Sequence, residues 1–198
     1  ARYEAGSANP RTSSSGTGDA VLSQANKYPY NYINQTDSIT KAATMNNEKT
    51  NVIAGLINGA AWDRTLNWIL ETNNNMSLAD INEDSTSWGN YRNSKFNFTG
   101  KYSTTSFTEA ATSTEKPENS SYLLGTGVTD YTKKNNIYDL AGNCCEWTTE
   151  SYSSGIRVDR GGIYDDDGSS NPAYGRGGRN PTNSNDFIGF RVSLYVNL

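Results

Sequence analysis

The stretch "NIYDLAGNCCEWTTE" (Asn136–Glu150) holds two short apolar runs, "IYDL" and "CCEWT", joined by an Ala-Gly-Asn turn. Short apolar runs bounded by Gly and Asn read as strands. Cys144 and Cys145 are the only cysteines of the chain and are neighbours. Neighbours cannot staple distant segments, so a disulfide framework is excluded. On extended backbone they also point to opposite faces, which argues against a shared metal pair. Buried free cysteine behaves as a small hydrophobe, and core packing is the reading taken for both.

Two further strands follow on the C-terminal side, "IRVDRGG" and "IGFRVSLYV". Between Arg160 and Arg191 the text is "RGGIYDDDGSSNPAYGRGGRNPTNSNDFIGFR", a crowd of Asp, Asn, Ser, Gly and Arg closing on an apolar strand. On the N-terminal side, Met76 to about Leu123 reads as loop, with strand-like patches such as "SKFNFTGKY". "NGAAWDRTLNWILETNNN" is the clearest helix: Trp62, Leu66, Ile69 and Leu70 form one apolar stripe, with Asn58 as cap. A shorter helix is predicted over Ser38–Thr44, capped by Thr36 or Asp37, after a strand at Tyr28–Thr36. Helices come early and strands late, so the fold class is α+β: two early helices, short antiparallel strands and much irregular loop.

A length of 198 residues suits one domain. Residues 1–26, rich in Ser, Gly and Ala, are predicted to be an extended linker without an apolar signal segment, preceding a domain at 27–198. Hydrophobic content is 34% and mean hydropathy −0.76, both low. Aromatics at 11% and a net charge of only −4 nevertheless argue for a folded core. The acidic balance leaves no footprint for nucleic acid, and no stretch is long and apolar enough for a membrane span. Histidine is absent, which removes the commonest general base and the commonest nitrogen ligand.

Four landmarks share an order with one family. "NIYDLAGNCCEWTTE" resembles the signature of the formylglycine-generating-enzyme (sulfatase-modifying factor) fold, a variant of the C-type lectin fold. "RGG" at Arg160–Gly162 and "GFR" at Gly189–Arg191 resemble that family's closing segment. "GLINGAAWDRTLNWI" sits where the family has its Trp-bearing helix, with Trp62 as the matching residue, and "WGNYRN" (Trp88–Asn93) resembles its Gly-Asn loop.

The resemblance implies an activity that this chain is not equipped for. Enzymes of the family use a cysteine pair after RGG to bind copper as thiolates, and related branches hold iron through histidines. Ile163 to Phe190 contains no cysteine, and the chain has no histidine. The expectation is therefore a non-enzyme. No cofactor is required, but the family's signature turn implies a structural Ca²⁺. Matched by position, its ligands would be Asp139, the carbonyls of Gly142 and Cys144, and Glu146. Hard oxygen donors suit that ion. The alternative is that Asp139 and Glu146 bond groups of the turn itself.

A second branch of the fold fits the polar loop better. The chain resembles the variable proteins of diversity-generating retroelements, which keep RGG and GFR and randomise Asn-rich template positions between them at template adenines. Codons AAT and AAC scatter into a set containing Ile, Asp, Gly, Arg, Tyr, Phe, Ser and Cys, but not Lys, Glu, Gln, Trp or Met. None of those five excluded types occurs between Arg160 and Arg191. Ile163, Asp165, Asp166, Asp167, Ser170, Tyr174, Gly175, Gly177, Gly178, Arg179, Asp186 and Phe187 belong to the reachable set. Asn171, Asn180, Asn183 and Asn185 remain as Asn. The resemblance implies a receptor-recognition module whose variable-like loop, 163–187, meets a protein or glycan ligand on a cell surface. It would sit on a bacterial surface or a phage particle. Two readings stay beside it: a divergent enzyme or pseudoenzyme of the family, and a fixed structural or phage-tail domain.

Overall fold

Asn58 turns the chain into its main helix by accepting a hydrogen bond from the Ala61 amide at 2.8 Å. The computed structural model describes residues 1–14, 19–45, 48–104, 107–109 and 113–196. Helix α1 covers Gln35–Ala43, α2 Gly59–Thr72 and α3 Leu78–Asn82. The α2 stripe buries Trp62, Leu66 and Ile69 as its periodicity predicts, while Leu70 is only half-buried. Helix α1 begins earlier than predicted. Its cap is Asn34, whose side chain accepts from the Asp37 amide and donates to the Asp37 carboxylate, both at 2.8 Å. The strand predicted over Tyr28–Thr36 shrinks to Tyr28–Pro29: Tyr32 turns left-handed at φ +49°, and the helix takes Gln35 and Thr36.

Helix α3 lies where the sequence reads as loop, so the early helices number three among the described residues. Ser77 and Asp80 cap each other's amides, and Ile81 is its buried residue.

Six strands frame the site: β1 Val52–Leu56, β2 Cys145–Ser153, β3 Ile156–Arg160, β4 Arg176–Arg179, β5 Ile188–Phe190 and β6 Val192–Val196. The central sheet has the order β4-β3-β2-β5. Pairing is antiparallel except between β2 and β5, which run parallel with Cys145 opposite Ile188 and Trp147 opposite Phe190. "IGFRVSLYV" is therefore two strands. Its first part joins β2, and after Arg191 its second part, β6, pairs antiparallel with β1. Nor is 163–187 loop throughout, because β4 lies within it and completes the sheet edge.

The described residues of the N-terminal segment, 1–14 and 19–26, are extended but docked. Gly6–Ser7 pairs with Tyr28–Pro29, Gly6 bridges Leu22, and the Ala5 amide donates to the Phe190 carbonyl at 2.9 Å. Glu4, Ala5, Ser7 and Arg11 are buried, so the predicted boundary at residue 26 has no counterpart in the packing. Ser/Gly/Ala richness is as compatible with close docking against a core as with a free linker. One core cluster joins Tyr30, Ile33, Trp147 and Phe190; a second joins α2 to Trp88, Tyr91, Leu140 and Ala173.

Candidate ligand-binding face and its supporting turn

The signature turn reverses through Asp139, Gly142 and Asn143, all with φ between +58° and +71°. Gly142 is required by contact as well as by torsion: a Cβ there would meet the Asn90 carbonyl oxygen at 2.1 Å. The Gly-Asn loop seals this approach. Asn90 donates to Asn143 Oδ1 at 2.9 Å, and the Asn143 amide returns a bond to the Asn90 carbonyl at 2.9 Å. Lys116, fully buried, holds the same loop through the carbonyls of Tyr91 and Ser94 at 2.6 and 2.7 Å.

Arg191 occupies the centre of the acidic groups around the turn. It donates to both oxygens of Glu146, from Nε at 3.0 Å and Nη2 at 2.7 Å, and Nη2 also reaches the Tyr138 carbonyl at 2.8 Å. Asp139 accepts from Thr132 Oγ1 at 2.7 Å and from the Gly127 amide at 2.8 Å. Glu4 accepts from Asn143 Nδ2 at 2.7 Å and from the Cys144 amide at 3.3 Å. Burial raises the carboxyl pKa of Glu4, Asp139 and Glu146, for Glu4 well above the usual range. The donor set does not fit Ca²⁺. Both Glu146 oxygens are taken by a guanidinium, and both Asp139 oxygens accept from Thr132 and Gly127, outside the turn.

Both thiols lie beneath this turn. Cys145 packs in the core with Trp147 and points to the Phe187 carbonyl, while Cys144 faces the Asp186 carbonyl. Burial pushes both pKa values well above the ordinary thiol range, so neither is a thiolate at neutral pH.

The loop rises from this floor between buried ends. Arg160, Gly161, Ile188, Phe190 and Arg191 are buried. Of the twelve reachable positions, Asp165, Ser170, Tyr174 and Gly178 are exposed, and the other eight are half-buried. None is buried, although Ile163 and Phe187 lean on the core. Several residues hold the loop's course. Trp62 Nε1 donates to the Ala173 carbonyl at 3.0 Å, and the Tyr91 hydroxyl lies 2.9 Å from the carbonyls of Gly161 and Asn171, donating to one at a time.

The three consecutive aspartates do not converge. Asp165 accepts from Ser121, Asp166 from Asn171 at 2.7 Å, and Asp167 pairs with Arg92 at 2.9 Å. Along β4, Arg176 points to Asp63 and Glu150 beside Arg160, whereas Arg179 pairs with Asp159 at 2.6 Å. Arg176 is thus part of the scaffold's ion-pair group. Arg179 closes β4, while the half-buried Asp186 and the exposed Tyr174 lie outside that strand. Reading the sequence misses Asp159 and Asn31 as neighbours of this face. Only the register of β3 against β4, and the docking of the N-terminal segment, bring them there.

A small α+β domain with a helix-backed sheet, a signature turn sealed by a Gly-Asn loop and a long loop returning through Gly-Phe-Arg is a C-type-lectin-like domain of the formylglycine-generating type. The model of the sulfatase-modifying factor enzyme 1-like domain matches residues 2–195, and the chain belongs to that family. Among solved structures it is similar to Treponema denticola variable protein 1, at 17% identity and a TM-score of 0.37. The match covers 71% of this chain and 47% of that one, so the chain spans about half of that protein's length. No curated protein matches.

Proposed function

We propose that the domain is a binding module, not an enzyme, and that its 163–187 loop is a diversified surface for a protein or glycan ligand at a cell surface. The observation that carries this reading is the accessibility of the variable-like positions. The twelve singled out from the sequence are all half-buried or exposed, while the framing Arg160, Gly161, Ile188, Phe190 and Arg191, with Gly168 and Ala173 inside the loop, are buried. Side chains can vary at such positions without disturbing the core, and binding residues concentrate on loops held by rigid scaffolds. Tyr174 and Phe187 offer apolar area and Arg179 directional charge, the residue types that anchor interfaces. Similarity to a variable protein agrees with the reading but does not carry it. Two protonated, buried thiols and the absence of histidine speak against the oxidative chemistry of the enzymatic branches. A bacterial surface or a phage particle is the proposed setting.

The test is sequencing of the gene's 3′ end and its downstream region in the source population. A nearby copy rich in AAT and AAC, with variation confined to positions such as Asp165 and Arg179, is the expected result. An invariant loop with no template nearby overturns diversification and leaves a fixed binding or structural domain.

A further inference from the structure

Strand β4 is the outermost strand of the central sheet, and its far side is open. Among the described residues, no backbone hydrogen bond reaches Arg176–Arg179 from that side. The sheet's opposite edge is covered, because the Ala5 amide donates to the Phe190 carbonyl of β5 at 2.9 Å. A strand edge presents unpaired N–H and C=O groups in a row, which pair with another extended chain. Here the row is bare as well as unpaired. Gly177 and Gly178 carry no side chain at its centre, and Arg176 and Gly178 are exposed.

Charge at one end of this edge is out of balance. Arg157 of β3 stands opposite Arg179 of β4 in the register, and both are half-buried. Like charges directly opposite on paired strands are destabilising. One carboxylate serves the two: Asp159 accepts from Arg179 Nε at 2.6 Å. Arg157 bonds Ser151 Oγ at 3.4 Å and the Ile156 carbonyl at 3.3 Å, and forms no ion pair among the described residues. On the sheet's other face the charges balance, with Arg160 and Arg176 against Asp63 and Glu150. Two exposed rings lie on that face. Tyr174 sits beneath the Arg176 guanidinium, and Tyr152 lies 3.1 Å from where a Cβ of Gly178 would stand.

We infer that β4 docks an extended segment of a protein ligand, which adds a strand to the sheet and sets an acidic residue against Arg179 and Arg157. Successive residues of a strand alternate faces, so the neighbours of that acid turn to Tyr152 and Tyr174 and are apolar. The inference deepens the binding reading above and rests on it, naming protein as the partner. Main-chain pairing supplies attachment whatever the side chains are, and the loop's side chains then set specificity. A second copy of this chain suits the edge poorly. Antiparallel pairing of two such edges centred on Gly177 and Gly178 sets Arg176 against Arg179, like charge against like.

The experiment selects binders to the whole chain from a displayed library of random linear peptides. Each main-chain nitrogen of a selected peptide is then methylated in turn, with affinity read by fluorescence anisotropy. Methylation removes an N–H and leaves the side chains alone, so an added strand is sensitive only at alternate residues. The expected peptide carries an acid between apolar residues and loses at least about tenfold in affinity at alternate methylation sites. Changing its acid to the amide costs about tenfold against the parent and nothing further against Arg179→Ala. A peptide indifferent to methylation but weakened by Tyr174→Ala or Arg179→Ala is held by loop side chains, which overturns the edge and keeps the proposed function. Alternation without an acidic residue overturns the charge assignment. A library that yields no binder, or a chain that sediments as a dimer with the amides of 176–179 protected from exchange, overturns the inference. The population sequencing decides diversification separately.

Discussion

Gly162 shows how much of the site depends on single backbone positions. Its φ is +76°, and a Cβ would stand 2.2 Å from the Asn171 carbonyl oxygen and 2.8 Å from the Tyr91 ring. Neither the torsion nor the space suits a side chain. Gly162→Ala is expected to destabilise the domain by more than about 1 kcal/mol, measured by urea unfolding. Wild-type stability in that variant would mean the loop reaches its course without this turn. Trp62 acts from the other side. Fully buried, it donates its indole N–H to Ala173 in the middle of the loop. Trp62→Phe retains most of the apolar burial but leaves that carbonyl unpaired, with an expected loss of about 1–3 kcal/mol. A loss near zero would show that water or another donor reaches Ala173. The need for Gly162 and the importance of Trp62 are legible in the sequence through "RGG" and the helical stripe. Their convergence on Asn171 and Ala173 is not, because it depends on where the polar loop folds back.

At the scale of elements, what the sequence reveals follows the strength of local signals. Helix α2 has a cap and a four-residue apolar stripe, so its register is readable. Helix α3 has one buried residue, Ile81, in polar text, and only the Ser77-x-x-Asp80 spacing announces it. Strand β4 is hidden because "RGGR" has no apolar alternation; it joins the sheet through its register with β3. The parallel pairing of β5 with β2 is a long-range choice, and the break at Arg191 follows from it. Arg191 leaves the strand line to enter the acidic core, joining β5 to β2 through Glu146. Removing one partner of a buried pair leaves the other charge uncompensated. Arg191→Met is therefore expected to lose about 3–5 kcal/mol. If the guanidinium holds the turn, millimolar Ca²⁺ or a chelator leaves the melting temperature of the parent unchanged. A rise in melting temperature with Ca²⁺, reversed by chelation, would show that the ion enters in place of this ion pair.

For the molecule as a whole, the buried acidic core implies an unusual response to pH. Glu4, Asp139 and Glu146 lie around one internal guanidinium, so negative charge exceeds positive charge at the centre of the fold. Burial raises all three carboxyl pKa values, and the neighbouring charges of Asp139 and Glu146 raise Glu4 further. A raised carboxyl pKa means the folded state retains protons that the unfolded chain releases. That contribution is fully present below the unfolded value, 4.5 for Glu, and is lost as pH rises through the folded value. Glu150, Asp80 and Asp130 shift the other way, but their contribution disappears only as pH falls below the ordinary carboxylate range. The window between them favours the acidic side. Between about pH 8 and 5.5, above the unfolded carboxylate values, these three groups raise the urea midpoint as pH falls, while the Ala1 amino group, lowered to about 5 by burial, acts the other way. Relief of the overall charge of −4 acts in the same direction as the carboxyls, so the slope alone does not identify its source. Glu4→Gln separates the two effects, because it removes one buried titrating group and changes the net charge by only one. That variant is expected to be more stable than the parent at pH 8 and to show a shallower slope. An equal slope in both proteins would assign the effect to surface repulsion and leave Glu4 ionised within the core, held by Asn143 and the Cys144 amide.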